Sequence, residues 1–286
     1  MNIGDFERAV SSTNYWVDEQ LADNYASYLL DYIETCYDFS SIDTVSVDVF
    51  DTLLLRNDVH EFERYYQITN EFVIFLHQER DIVLDVWDLY AARLMAFRIG
   101  YRCCKQKLGV REGVIDEILL LMLKIMKISQ PESLVKSLIE IELNYELTTL
   151  GINQLLNKFF QLVKDKEKKL IFISDIYLSK RHIQKLIDAN YLPFHNIQNG
   201  YSSADCAVTK SSGLLYVHSL ADLEIAHSSV LHLGDNLVSD VTMAKKHGLN
   251  AIHLPVPMVI QENRKANKEN FLQYLENNNF DSSFIW

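Results

Sequence analysis

The spacing of hydrophobic residues changes several times along the chain, and each change marks a different kind of structure. From residue 1 to about 40, Phe6, Val10, Tyr15 to Val17, Leu21, Tyr25, Tyr28, Leu29 and Ile33 recur every three or four positions, which predicts helix. Thr44 to Phe50 carries Val45, Val47 and Val49, the β-branched residues of a buried strand. From about Asp58 to Asn157 the spacing is again helical, through Phe62, Tyr65, Phe72, Leu76, Leu84, Trp87, Leu94, Ile115, Leu119 and Met122. Pro131 suits the first turn of a further helix with Leu134, Leu138 and Ile141 on one face. So long a helical run without a strand predicts an inserted helical domain.

Alternation of strand and helix resumes after the charged segment Lys164 to Lys169, which reads as a solvated helix end. Strands are expected at Leu170–Ile173, Ile197–Ser202, Val230–Leu233 and Asn250–Leu254. The helices between them are expected at Lys180–Ala189, Ser211–Leu220 and Ser239–His247, the last closed by Gly248, with a terminal helix from Gln261 to Asn277. The fold class is therefore α/β, a Rossmann-like parallel sheet with right-handed crossovers and an inserted helical domain. The expected division is a helical extension at 1–42, a core at 43–57 and 158–260, a helical insertion at 58–157, and a C-terminal helix and tail at 261–286.

Composition narrows the function classes. The 286 residues are 48% hydrophobic and 23% charged, as in a globular protein, and the net charge of −12 argues against a nucleic-acid-binding face. Cys36, Cys103, Cys104 and Cys206 have no zinc-type spacing and read as reduced packing thiols. The first residues lack a basic and apolar leader, and the apolar stretch Val114–Met126 is too short to span a bilayer. A soluble, cytoplasmic protein without a membrane partner is expected, with a homodimer as one possible assembly.

In a parallel sheet the strand C-termini share one edge, where ligands usually bind. That edge gathers Asp48 with Asp51 and Thr52; Ser174; a loop leading to Lys210; and Asp235 with Asp240. An attacking carboxylate, a hydroxyl donor, a cation and further acids make a phosphoryl-transfer set with a Mg²⁺ site. Singly, each has a plainer reading: Ser174-Asp175 as a helix N-cap, Lys210 as a surface lysine, Gly234-Asp235-Asn236 as a turn, and Asp240 as an acid at a helix start.

Val47-Asp48-Val49-Phe50-Asp51-Thr52-Leu53, Ile173-Ser174, Lys210 with Ser211-Ser212-Gly213, and Gly234-Asp235-Asn236-Leu237-Val238-Ser239-Asp240 together resemble the four motifs of the haloacid dehalogenase-like (HAD) hydrolase superfamily. The insertion sits where that superfamily places an all-helical C1 cap. The run around Asp48 with Leu53-Leu54-Leu55-Arg56 is also similar to a subgroup encoded near genes for surface polysaccharide synthesis. The resemblance implies that Asp48 attacks phosphorus to form an aspartyl-phosphate, Ser174 donates to a phosphoryl oxygen, and Lys210 offsets the charge. It implies Mg²⁺ held by Asp48, the carbonyl of Phe50, Asp235 and, directly or through water, Asp240. Thr52 and Asn236 are expected on the phosphate side.

One position departs from the pattern. The superfamily's phosphatases usually place a second Asp, the general acid and base, where this chain has Phe50; its own second acid is one residue late, at Asp51. Three readings follow: a Mg²⁺-dependent phosphatase using Asp51 or a cap residue as base, a dehalogenase-type hydrolase, or a scaffold with little turnover that binds a phosphorylated ligand or a protein partner. Halide displacement has no need of the Asp235/Asp240 pair, which favours the phosphatase. The expected substrate is a small phosphorylated metabolite such as a sugar or polyol phosphate. Arg56, Arg64, Arg93, Arg98 and Tyr101 are candidates for substrate contact, against a plainer reading as helix-surface charge and packing; His60, His77, His182 and His232 are assigned no role.

Overall fold

The computed structural model describes residues 2–164, 166–190 and 197–284. Two helices open the chain, α1 (Ile3–Ser12) and α2 (Glu19–Cys36), where one continuous helical pattern was expected. The break falls on polar residues that compete for backbone hydrogen bonds: Thr13 Oγ1 donates to the Ala9 carbonyl, and Asp18 caps α2 by accepting from Leu21 N. Val17, counted with the apolar face, is exposed as a result.

Strand β1 (Thr44–Val47) is followed by β2 (Leu54–Arg56), then by the cap helices α3 (Glu61–Arg80), α4 (Val86–Cys103), α5 (Ile115–Ile125) and α6 (Glu132–Thr149). The chain returns through β3 (Leu150–Ile152) and α7 (Gln154–Lys164) to β4 (Lys169–Ser174), α8 (Lys180–Asn190), β5 (Ile197–Ser202) and the short α9 (Ser203–Cys206). Helix α10 (Leu214–Asp222), β6 (Val230–Gly234), a π-helix (Leu237–Met243), α11 (Ala244–Lys246), β7 (Asn250–His253) and α12 (Met258–Asn277) complete it. The sheet has the order β5-β4-β1-β6-β7, and all four of its pairings are parallel. Valines 45 and 47 with Leu170, Phe172, Leu231 and Leu233 join the larger buried cluster, which also takes in α2 and α7. On the opposite face Ile171, Ile173 and Val230 pack with Leu215, Tyr216 and Leu220 of α10. The N-terminal segment thus belongs to the helical layer of the core, with α2 lying along α7.

The insertion is not all-helical. β2 and β3 form an antiparallel ribbon at its root, pairing Leu54 with Ile152 and Arg56 with Leu150. Strands of three residues are too short to show a period of two, so the ribbon is silent in the hydrophobic pattern. Helix α10 starts three residues later than expected because Gly213 sits at φ 77°, a left-handed conformation that suits glycine and ends the turn carrying Lys210.

The cap interior is held by buried ion pairs. Arg93 donates to Glu142 at 2.7 Å, Arg64 to Glu146, and Arg56 lies 3.5 Å from the same Glu146. Glu142 and Glu146 stand one turn apart on α6, on the face that carries Leu138 and Leu143 inward; Ile141, expected on that face, is only half-buried. The core joins this network through Tyr177, whose hydroxyl donates to Glu142 at 2.8 Å. Helix α12 braces the core–cap connection from outside. Arg264 donates to the Asn57 and Arg56 carbonyls, and Asn267 to the Asp58 carbonyl, while Phe271 and Tyr274 pack against Tyr66 of α3.

Candidate active site

β1 ends where its side chains turn polar. Asp48 continues the ladder for one more bond, its N–H donating to the Leu233 carbonyl at 2.9 Å, and the chain then folds back as Leu53 N donates to the Asp48 carbonyl. This leaves the Asp48 side chain 10% exposed at the sheet edge. Lys210 Nζ lies 2.6 Å from Asp48 Oδ1 and 2.6 Å from Asp240 Oδ1, joining three of the strand-end groups. The carboxylates of Asp48, Asp235 and Asp240 each offer an oxygen within 4.8 Å of the others. Gly234 makes this possible, since a Cβ there would meet the Asp240 carboxyl carbon at 2.4 Å. A cavity of about 420 Å³ opens over the group, lined by Asp48, Asp175, Lys210, Ser211, Asp235, Asn236, Val238, Ser239 and Asp240. None of these residues comes from the cap.

The charges are unevenly settled. Burial lifts the Asp48 carboxyl to about 6, the Lys210 charge pulling it down and Asp240 pushing it up. Asp235 is lifted further, to about 8, by burial and by the charges of Asp48, Asp51 and Asp240. For Asp240 burial acts in the same direction, but Lys210 and His232 outweigh it and hold the group well below the usual carboxylate range. Burial disfavours the Lys210 ammonium, yet Asp240 and Asp48 keep it charged. Four carboxyl groups, Asp48, Asp175, Asp235 and Asp240, to one ammonium leave an excess of negative charge around the cavity.

Several expected residues do other work. Thr52 Oγ1 accepts from Asp235 N at 3.0 Å and lies 3.3 Å from Asp235 Oδ1, so it positions Asp235. Asn236 accepts from Val238 N and Ser239 N with its side-chain oxygen, which starts the π-helix. Ser174 is buried at the end of β4 and does not cap α8, which begins at Lys180. Its neighbour Asp175 accepts from Lys210 N at 2.7 Å and so fixes the loop that delivers the lysine.

The acid expected to replace the one absent at Phe50 is not available as a base. Asp51 occupies a left-handed backbone conformation, φ 63°, and both its oxygens accept from Arg264, at 2.7 and 3.0 Å. Burial would raise its carboxyl, but Arg264 outweighs burial and holds it low. The proton-shuttle role for Asp51 is therefore corrected to an anchor between the loop and α12. Arg56, expected at the substrate, stacks its guanidinium 4.2 Å over the Phe50 ring and lines a different cavity with Asn57, Thr148 and Asn263. Arg64 and Arg93 lie within the cap's ion pairs, Arg98 is exposed, and Tyr101 packs on Phe97.

Two contributors escaped the sequence reading. His232, in register with Ser46 across β1 and β6, is fully buried, and burial keeps its imidazole neutral. Its Nδ1 lies 2.7 Å from Ser46 Oγ and its Nε2 3.3 Å from Asp240 Oδ1, so Ser46, His232, Asp240 and Lys210 form a chain behind Asp48. The signal was a polar pair, Ser46 and His232, in two otherwise apolar strands. Glu112, between α4 and α5, is buried where the cap meets Asp175 and Ser203, and burial with the Asp175 charge lifts its carboxyl to about 7. Because the folded value lies above the unfolded one, Glu112 weakens the fold as pH rises from about 4.5 to 7. Glu112→Gln is expected to change stability little at pH 5 and to add on the order of 3 kcal/mol at pH 8, measured by urea unfolding at both values.

No family model matches this sequence, and no curated protein sequence does. Solved structures are similar to it. A 2-haloacid dehalogenase from Pseudomonas syringae pv. tomato is 16% identical over 73% of this chain and 85% of its own, with a TM-score of 0.49. The HAD-hydrolase YfnB of Bacillus subtilis, bound to magnesium, is 15% identical over 73% and 87%, with a TM-score of 0.44. A phosphoglycolate phosphatase, so designated by prediction, from Haemophilus somnus is 10% identical over 76% and 90%, with a TM-score of 0.43. At these identities and scores no residue role is carried across, and the site is read from its own geometry.

Proposed function

We propose that this chain is a HAD-type, Mg²⁺-dependent phosphatase acting on a small phosphorylated compound through an aspartyl-phosphate at Asp48. The observation that carries the reading is the buried Asp48 sharing one cavity with Asp235 and Asp240, their oxygens within 4.8 Å, and with Lys210 between two of them. Mg²⁺ suits this donor set: an all-oxygen cluster with few carboxylates, and an excess of negative charge that a divalent cation neutralises. Asp48 and Asp235 would hold it with the Phe50 carbonyl. Asp240, whose oxygens already accept from Lys210 and from Asn236 N, would act through water. When bound, the cation offsets charge on the phosphoryl oxygens.

The protein's own groups account for the rest. Asp48 is held at the sheet edge by the Leu233 carbonyl and by Lys210, ready to attack phosphorus. Lys210 balances the charge that accumulates as the new bond forms, and Ser174, buried at the end of β4, would donate to a phosphoryl oxygen. A cavity of about 420 Å³ accommodates a small metabolite. The expectation of a sugar or polyol phosphate, like the likeness to the polysaccharide-associated subgroup, rests on the sequence resemblance. Dehalogenation is the weaker reading, because it leaves the acid cluster uncompensated. No described helix is long and apolar enough to cross a membrane.

Phosphate release from 4-nitrophenyl phosphate tests the reading. Activity is expected to vanish in EDTA and to return with Mg²⁺; a rate unchanged by EDTA would remove the cation from the mechanism.

A further inference from the structure

Among the described residues lining the cavity over Asp48 there is a nucleophile and a charge-balancing cation, but no side chain left free to hand a proton to a departing group. Asp235 accepts from Thr52 and is the carboxylate assigned to the cation, and both Asp240 oxygens already accept, from Lys210 and from Asn236 N. Among the described lining residues, Lys210 points its ammonium between Asp48 and Asp240 at 2.6 Å from each. Asp175 has both oxygens accepting backbone N–H bonds, from Lys210 and Ser211, which fixes it as an acceptor. Asp51 is paired to Arg264 through both oxygens, and Phe50 turns an apolar ring under the Arg56 guanidinium. No lining residue comes from the cap.

This arrangement limits what can leave. When an Asp48 oxygen bonds to phosphorus, the P–O bond to the leaving group breaks and its electron pair stays on that oxygen. An alkoxide, about as basic as hydroxide (conjugate acid near 15.7), needs a proton in that step. A carboxylate, with a conjugate acid near 4, or a phosphate, near 6, departs as the anion. We propose that the substrate is a phosphate compound whose leaving group departs as a stabilised anion, an acyl phosphate or a phosphoanhydride, and not the alkyl phosphate of a sugar or polyol. The proposal rests on the phosphatase reading above and narrows it.

The test measures kcat/KM with Mg²⁺ for acetyl phosphate, pyrophosphate, glycerol phosphate and a series of aryl phosphates of graded leaving-group pKa, each with the wild-type chain and with Asp48→Asn. Absence of a general acid costs about 10²–10⁴-fold. Acetyl phosphate or pyrophosphate is therefore expected to exceed glycerol phosphate by at least about 10²-fold, and the aryl series to fall steadily as leaving-group pKa rises. Whichever of the two leads identifies the acyl or the anhydride source. Equal kcat/KM across the series, with Asp48→Asn inactive, would overturn the proposal and leave the phosphatase reading standing. Phosphate release from none of them, or release indifferent to Asp48→Asn, would overturn both.

Discussion

Asp48→Asn is expected to abolish phosphate release, by on the order of 10⁴–10⁶-fold, as loss of a covalent nucleophile does. It is also expected to leave the metal-free protein at least as stable as before. In that state Asp48 faces Asp240 across Lys210, and burial with that charge lifts its carboxyl to about 6. A carboxyl lifted on folding is a charge the fold tolerates at a cost above its unfolded pKa. The neutral amide keeps the shape, and Lys210 retains Asp240 as partner. Steady-state kinetics beside a thermal melt in EDTA checks both halves. A variant that lost activity together with its cooperative melt would show only that the site had collapsed.

The second large effect lies in the cap. Glu142→Ala is expected to cost about 3–5 kcal/mol, because it leaves the Arg93 guanidinium buried without its carboxylate and deprives Tyr177 of its acceptor. Arg93 and Glu142 are 1% and 0% exposed, so water cannot replace the missing partner. Replacing both residues together, Arg93→Met with Glu142→Leu, is expected to recover most of that loss, since an apolar pair carries no desolvation penalty. Urea midpoints for the single and double variants measure it. A single variant within about 1 kcal/mol of wild type, the worth of an exposed pair, would show the ion pair to be solvated.

The residues misjudged from sequence share a cause with this cap network. Arg56, Arg64 and Arg93 read as surface or substrate-facing charges because their partners, Glu142 and Glu146, lie far along the chain and look like ordinary helix acids. Only the packing of α6 against α3 and α4 shows that these acids face inward. Asp51 was misjudged in the same way. Its place three residues after Asp48 is a local fact, but its commitment to Arg264, more than two hundred residues later, is a tertiary one. By contrast, the parallel strands and the groups at their C-terminal ends were legible because β-branched runs, chain order and right-handed crossovers constrain where strand ends fall. That logic correctly gathered Asp48, Lys210, Asp235 and Asp240 at one edge. It could not reach the ribbon of β2 and β3, whose three-residue strands have no period to detect.

The brace at the cap root changes how the site is pictured. α12 ties Asp51, Arg56, Asn57 and Asp58 to one helix, and Tyr177 ties the core to Glu142. The loop after Asp48 is therefore fixed from behind as well as by the sheet, which suits the nucleophilic role proposed for Asp48.

The central claim is that Asp48 itself carries the phosphoryl group. The most direct measurement is acid quenching of the protein during turnover of 4-nitrophenyl phosphate with Mg²⁺, followed by peptide mapping by mass spectrometry. The account predicts one added phosphoryl group on the Asp48 peptide, absent in EDTA and absent in Asp48→Asn. A phosphoryl group on any other residue, or on the Asp48→Asn variant as readily as on the wild type, would contradict it.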